Sequence, residues 1–157
     1  MKILIFGLPG AGKTWLAQRL YQLFDDCAWY NADKIREMAN DWDFSPEGRL
    51  RQATRMKNIA DFEIANGRWV ICDFVCPTAH TRDIFDPDIK IWVDTISEGR
   101  FQDTNKMFEI PLTFDYHVNH WYNEAEIESL AEHIKEVDRH NMENGIFFGD
   151  RRIRHEF

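Results

Sequence analysis

Residues Gly7-Leu8-Pro9-Gly10-Ala11-Gly12-Lys13-Thr14 follow the spacing G-x-x-x-x-G-K-[ST] at every fixed position. Glycines there let the main chain take positive φ and approach an anion with no Cβ in the way. The successive N–H groups then converge as an anion nest. A helix starting at the lysine adds the positive end of its dipole. In that setting the Lys13 ammonium reaches the terminal phosphates, and the Thr14 hydroxyl is a ligand for Mg²⁺ that bridges them. All eight residues are therefore candidate contacts for ATP with Mg²⁺, and Lys13 is also a candidate catalytic residue.

Transfer of a phosphoryl group to a hydroxyl also needs a carboxylate beside the acceptor, cations around the phosphates and a cover that excludes water. Asp33 follows one strand-like run and Asp73 ends another. Both would lie at the carboxyl ends of strands, where ligands of α/β sheets bind. Both are candidate catalytic residues and, with Thr14, candidate metal ligands; a helix cap or a solvated carboxylate is the blander reading of each. Arg36 and Arg49 suit bidentate contact with phosphate or sulfate. Phe44 and Phe108 are candidates to sandwich a base, a contact of ~1–3 kcal/mol per face. The alternatives are a solvated helix arginine for Arg49 and a core position for Phe44. Arg100 and Lys106 are candidate lid cations.

These side chains need a sheet to hold them. Lys2–Phe6 and Trp69–Cys72 are continuous apolar runs, as strands buried on both faces require. Cys27–Tyr30, Ile89–Val93 and Tyr116–Val118 are further strands. Trp15, Leu16, Leu20, Leu23 and Phe24 fall at helical spacing, which predicts a helix to about Phe24. Ala32–Asn40 reads as helix and Asp41–Phe44 as loop. Ser45-Pro46 is a serine cap followed by a first-turn proline. It opens a helix with Leu50, Ala53, Met56, Ile59, Ala60 and Ile64 on one stripe, which stops at Asn66-Gly67. Pro77–Pro87 reads as a loop with at most one helical turn. Residues 97–112 are mostly polar and read as a lid over a site. Asn123 to Glu126 has the form of a capping box before a last helix, with Ile127, Leu130, Ala131, Ile134 and Val137 facing inward. Trp69 and Trp92 read as core, and Trp15 as packed on the sheet. Strands separated by helices imply a parallel sheet covered on both faces. The expected fold is α/β: a three-layer P-loop NTPase or kinase domain with a five-stranded, mainly parallel sheet. One domain spans 1–157, with the lid-like segment at 97–112 and a C-terminal tail at 141–157.

The 157 residues carry 19 Lys and Arg against 27 Asp and Glu, a net charge of −8. That balance argues against a duplex-binding role and against long nucleic acid as partner. No apolar run approaches the roughly 18 residues that a membrane span needs. Cys27, Cys72 and Cys76 are an odd set without zinc spacing and read as small buried hydrophobes in a reducing cytoplasm. No Asn-Lys-x-Asp stretch occurs, which disfavours a GTPase. The tail arginines Arg151, Arg152 and Arg154 are a candidate phosphate clamp or homodimer contact, with a solvated tail favoured.

Four stretches together, GLPGAGKT (Gly7–Thr14), Asp33-Lys34-Ile35-Arg36, FSPEGRLRQ (Phe44–Gln52) and VICDFVCP (Val70–Pro77), resemble the adenylylsulfate kinase family. The resemblance implies a MgATP-dependent kinase acting on the ribose 3′-hydroxyl of a small anionic substrate, adenylylsulfate. It implies that Asp33 lies near the acceptor hydroxyl and metal. It also implies that Arg36 and Arg49 contact the substrate, that Phe44 and Phe108 stack on its adenine, and that Gln52, Arg100 and Lys106 belong to its site. The chain departs from the family pattern at several positions. Asn31 and Ala32 replace the Asp-Gly of Asp-Gly-Asp, Gly48 replaces an aspartate, Asp73 replaces a small residue and Cys76 replaces a serine. The lid motif Gly-Leu-Tyr-Lys-Lys is absent. A kinase of another hydroxyl (nucleoside, nucleotide, sugar or nucleic-acid end) and a regulatory nucleotide-binding protein stay open as alternatives.

Overall fold

Strands β1 (Lys2–Phe6), β2 (Cys27–Asn31), β3 (Trp69–Asp73), β4 (Ile89–Val93) and β5 (Tyr116–Val118) form one sheet in the order β2-β3-β1-β4-β5. All four pairings are parallel. The computed structural model describes residues 1–145; Ile146–Phe148 and the tail arginines Arg151, Arg152 and Arg154 lie outside the described residues. The helices are α1 (Lys13–Leu20), α2 (Ala32–Ala39), α3 (Pro46–Ala65), α4 (Ala79–Phe85), α5 (Gln102–Met107) and α6 (Glu124–Glu143).

Period-two alternation sorts the strand side chains into two cores. Ile3, Ile5, Ile71, Ile89 and Ile91 pack with Leu16, Ala17 and Leu20 of α1 and with Ile127, Leu130, Ala131 and Ile134 of α6. Leu4, Phe6, Val70 and Cys72 face the other way, toward Ala53, Met56, Ala60 and Ile64 of α3 and Phe85 of α4. These are the three layers expected. The helix caps at Ser45 and Asn123 form as the sequence reads: Ser45 Oγ accepts from the Gly48 N–H at 3.1 Å. Asn123 and Glu126 exchange reciprocal bonds of 2.8 and 3.0 Å. Cys27, Cys72 and Cys76 are buried free thiols.

Four local expectations need correction. Pro77–Pro87 holds the seven-residue α4, because Thr78 and Thr81 close a reciprocal capping box and Phe85 buries its ring against Phe74. The polar stretch 97–112 contains α5, anchored by buried Thr104. Helix α1 ends at Leu20, and a 3₁₀ turn over Tyr21–Leu23 carries the chain on to Phe24. Trp69 and Trp92 are half-buried, Trp92 lying beside exposed His117, whose ring stacks on it at 4.3 Å.

Candidate active site

The carboxyl ends of β1, β2 and β3 open into a cleft of about 1220 Å³. Its floor is the glycine loop. Gly7 touches the next strand so closely that a Cβ would sit 2.2 Å from the Val93 carbonyl oxygen. Gly12 caps α1 at φ +101°, and its Cβ would meet the Trp121 ring at 2.6 Å. No side chain caps α1 and its first turn holds no acidic residue. The first-turn N–H groups are therefore available to an anion.

Pro9, Gly10, Gly12, Lys13 and Thr14 line the cleft. Gly7, Leu8 and Ala11 shape it from behind: the Leu8 carbonyl accepts from Lys13 Nζ at 2.9 Å, and the Ala11 carbonyl from Thr95 Oγ1 at 2.7 Å. Burial pulls the Lys13 ammonium down to about 8, while the charges of Asp73 and Asp33 oppose that fall. An ammonium desolvated in this way gains most from a phosphate arriving beside it.

Asp73 is 2% exposed at the end of β3. It pairs in register with Ile5 of β1 and Asn31 of β2. Its Oδ2 accepts from Thr14 Oγ1 at 2.8 Å and from Asn31 Nδ2 at 3.1 Å, and its Oδ1 accepts from Trp29 Nε1 at 2.7 Å. Asn31 Nδ2 also donates to Thr14 Oγ1 at 3.0 Å. Burial pushes the Asp73 carboxyl upward, and the Trp29, Thr14 and Asn31 donors pull it back. Asp33 is exposed in the first turn of α2 and lines the same cleft.

Thr14 and Asp73 present hard oxygens side by side. No group of three or more His, Cys, Asp or Glu suited to a metal occurs among the described residues. That donor set fits Mg²⁺, which takes one or two protein oxygens and fills its shell from phosphates and water.

The opposite wall is aromatic and basic. Arg36 is 4% exposed; its Nη1 donates to the carbonyls of Asp41 (2.8 Å) and Asp43 (3.2 Å). Arg49 is 9% exposed and donates to the Phe44 carbonyl (3.1 Å) and to Thr104 Oγ1 of α5 (2.8 Å). Both guanidinium groups lie over the half-exposed Phe44 ring, at 4.4 and 5.4 Å. Arg51 and Arg55 hold Asp41 of the same loop far below the usual carboxylate range. Gln52 braces the wall, donating to the Ala32 carbonyl at 3.0 Å.

The cleft thus gathers Lys13, Thr14, Asp33, Arg36, Phe44, Arg49, Gln52, Asp73 and Arg100. It does not include Lys106, which is exposed elsewhere, or Phe108, which packs on the second core beneath the Arg82 guanidinium at 5.1 Å. Phe101 and Trp42 supply the further aromatic lining instead. Sequence reasoning also missed Trp29 and Trp121. The first had a usable signal, since a residue two before Asn31 on a strand shares its face. The second comes from the loop before α6 and is placed by tertiary packing against Trp15.

The family model for adenylylsulphate kinase matches residues 1–97. A probable adenylyl-sulfate kinase of Aeropyrum pernix is 34% identical over 87 residues. That match takes in 50% of this chain and 45% of the relative, so less than half of the relative's length is represented. Among solved structures, the APS kinase CysC of Mycobacterium tuberculosis, in complex with AMPPNP and APS, superposes with a TM-score of 0.68 at 16% identity. The superposition covers 86% of this chain and 95% of that one. Shikimate kinase from Aquifex aeolicus superposes with a TM-score of 0.62 at 12% identity, covering 88% and 98%. At these identities the two structures bear on the fold alone.

Proposed function

The chain belongs to the adenylylsulphate kinase family, and on that premise we propose that it transfers the γ-phosphoryl group of ATP to the 3′-hydroxyl of adenylylsulfate. The observation that carries this reading is one cleft holding both halves of the reaction. The glycine loop, with Lys13, Thr14 and Asp73, forms one wall, and an aromatic wall braced by Arg36 and Arg49 forms the other.

The ATP phosphates lie in the loop, on the N–H groups at the start of α1 and against the Lys13 ammonium. Thr14 and Asp73 would hold Mg²⁺, which when bound neutralises charge on the phosphates. Asp73 has no role as base in this reading, because it is buried at the end of β3 with its carboxylate turned to Thr14 of the phosphate loop. Asp33, exposed on the cleft wall, orients the acceptor hydroxyl and takes its proton. Phe44 and Phe101, in place of Phe108, meet the faces of the acceptor base, and Arg100 meets its anionic group. The segment 97–112, with α5 at its centre, is the lid, fastened to α3 through Thr104 and Arg49.

A second reading, a nucleobase-bearing acceptor without the sulfate, is favoured by one observation. Arg36 and Arg49 are already engaged by main-chain carbonyls and Thr104. ADP release from MgATP, measured with and without adenylylsulfate and with adenosine 5′-phosphate, tests both readings against Lys13→Ala. Stimulation by adenylylsulfate that disappears in the variant supports the first reading. Stimulation by adenosine 5′-phosphate alone replaces it with the second.

A further inference from the structure

Asp73 stands out among the cleft residues because its two oxygens have different partners. Oδ2 faces Thr14 and Asn31, and Oδ1 is taken by Trp29 Nε1 at 2.7 Å. An indole N–H only donates, so the polarity of this bond does not depend on any proton assignment. The strand register explains the contact. Asn31 is the register partner of Asp73 and Trp29 that of Ile71, and alternation puts all four side chains on the face covered by α1. The Trp29 ring is held there by Tyr21, with ring centroids 5.4 Å apart.

We infer that Trp29 is a positioning residue that fixes the rotation of the Asp73 carboxylate, so that Oδ2 stays beside the Thr14 hydroxyl as half of a divalent-cation site for the bound nucleotide. The inference rests on the nucleotide-binding part of the proposed function and adds a residue that touches neither nucleotide nor metal. Without the indole N–H, Asp73 is a buried carboxylate with one oxygen unpartnered. Its χ2 rotation is then held only from the Oδ2 side, and the Thr14–Asp73 pair is less firmly formed in advance. Outer-shell partners of this kind are worth roughly 10–100-fold in metal affinity.

The test is the affinity of the intact chain for the ATP analogue AMPPNP, by calorimetry, in EDTA and in saturating Mg²⁺. Trp29→Phe keeps an aromatic ring and removes the donor. Its affinity in EDTA is expected to match the wild type, while the gain conferred by Mg²⁺ falls about tenfold or more. In an Asp73→Asn background the same replacement is expected to have no further effect. An unchanged Mg²⁺ gain overturns the inference, as do equal losses in EDTA and Mg²⁺, which mark a merely structural role. Losses that multiply in the double variant overturn it as well.

If Trp29→Phe does not fold, the Trp29 indole N–H resonance of the otherwise unaltered chain decides. Asp73→Asn is expected to move it upfield, and no movement overturns the inference. Failure of the proposed kinase activity is distinguishable, because it appears as absent acceptor-stimulated turnover with the Mg²⁺ gain intact.

Discussion

Gly48 tests the acceptor wall most sharply, because two known effects oppose each other there. It is the third residue of α3, where alanine would ordinarily favour the helix by up to about 1 kcal/mol. Yet a Cβ at Gly48 would lie 2.2 Å from the Asp43 carbonyl oxygen and 2.5 Å from the Asp43 Cγ, where real contacts stay beyond 3.0 Å. The carboxylate can swing aside, but the carbonyl cannot move without the chain that carries it. That chain presents Phe44, and the same carbonyl accepts from Arg36. Overpacking costs about 1–3 kcal/mol, and at 2.2 Å from a fixed carbonyl the upper part, about 2–3 kcal/mol, applies, so the clash wins. Gly48→Ala is expected to lose about 1–2 kcal/mol net, a fall in Tm of about 2–8 °C for a chain of this length. Gly48→Asp, which restores the residue of the family pattern, is expected to lose more. In kinetics the acceptor KM rises while nucleotide affinity holds, since the glycine loop is untouched. Thermal unfolding and acceptor titration of the two variants decide. A Tm equal to or above that of the wild type, with an unchanged acceptor KM, refutes the reasoning.

Thr104→Val removes the acceptor of the buried Arg49 Nη2 bond and strands a charged donor, costing about 1–3 kcal/mol locally. Hydrogen exchange in α5 is expected to speed up while exchange in β1 and β3 is unchanged; equal protection of α5 contradicts its fastening by the Arg49–Thr104 bond. The Lys13 pKa of about 8 lies below its ordinary value because of burial, so above that pH the free folded protein has lost a proton that the unfolded chain keeps up to about 10.5. Stability from this group therefore rises as pH climbs from 8 toward 10.5, and nucleotide, by restoring the charge, takes up a proton. Calorimetry at about pH 9 in buffers of different ionisation enthalpy is expected to show that uptake in the wild type and not in Lys13→Met. Burial pushes the Cys27 and Cys76 thiols up to about 12 and Cys72 well above its ordinary value. Native protein at about pH 8 is therefore expected to resist a thiol reagent that modifies all three cysteines after unfolding; rapid labelling of the native chain contradicts their burial.

Much of the fold was legible because its signals are strong and local. Continuous apolar runs mark β1 and β3, and Ser45-Pro46 and Asn123 with Glu126 mark helix starts by their capping chemistry. Helices α4 and α5 were not legible. Each is shorter than two full hydrophobic periods, and each is held by tertiary contacts: Phe85 on Phe74 and Arg82 on the Glu109 carbonyl for α4, and Thr104 under Arg49 for α5. At the cleft, residue types carried the loop, Asp33, Asp73 and the arginines, because phosphate and metal chemistry limits the choices. The aromatics were harder. An aromatic side chain has no fixed spacing from the loop, so Phe108 and Phe101 look alike in sequence, and only packing places Phe101 at the cleft and Phe108 beneath Arg82. Gly48 reads in sequence as a missing carboxylate, whereas in the fold it makes room for the Asp43 carbonyl.

In the proposed reaction the cleft passes a phosphoryl group from ATP to the 3′-hydroxyl of adenylylsulfate. The direct measurement is the fate of a label on the γ-phosphate of ATP, followed by chromatography after incubation with the protein, Mg²⁺ and adenylylsulfate. Label is expected in 3′-phosphoadenylylsulfate, with none formed by Lys13→Ala. Label found only in inorganic phosphate, or retained in ATP that binds but does not turn over, contradicts the proposed reaction.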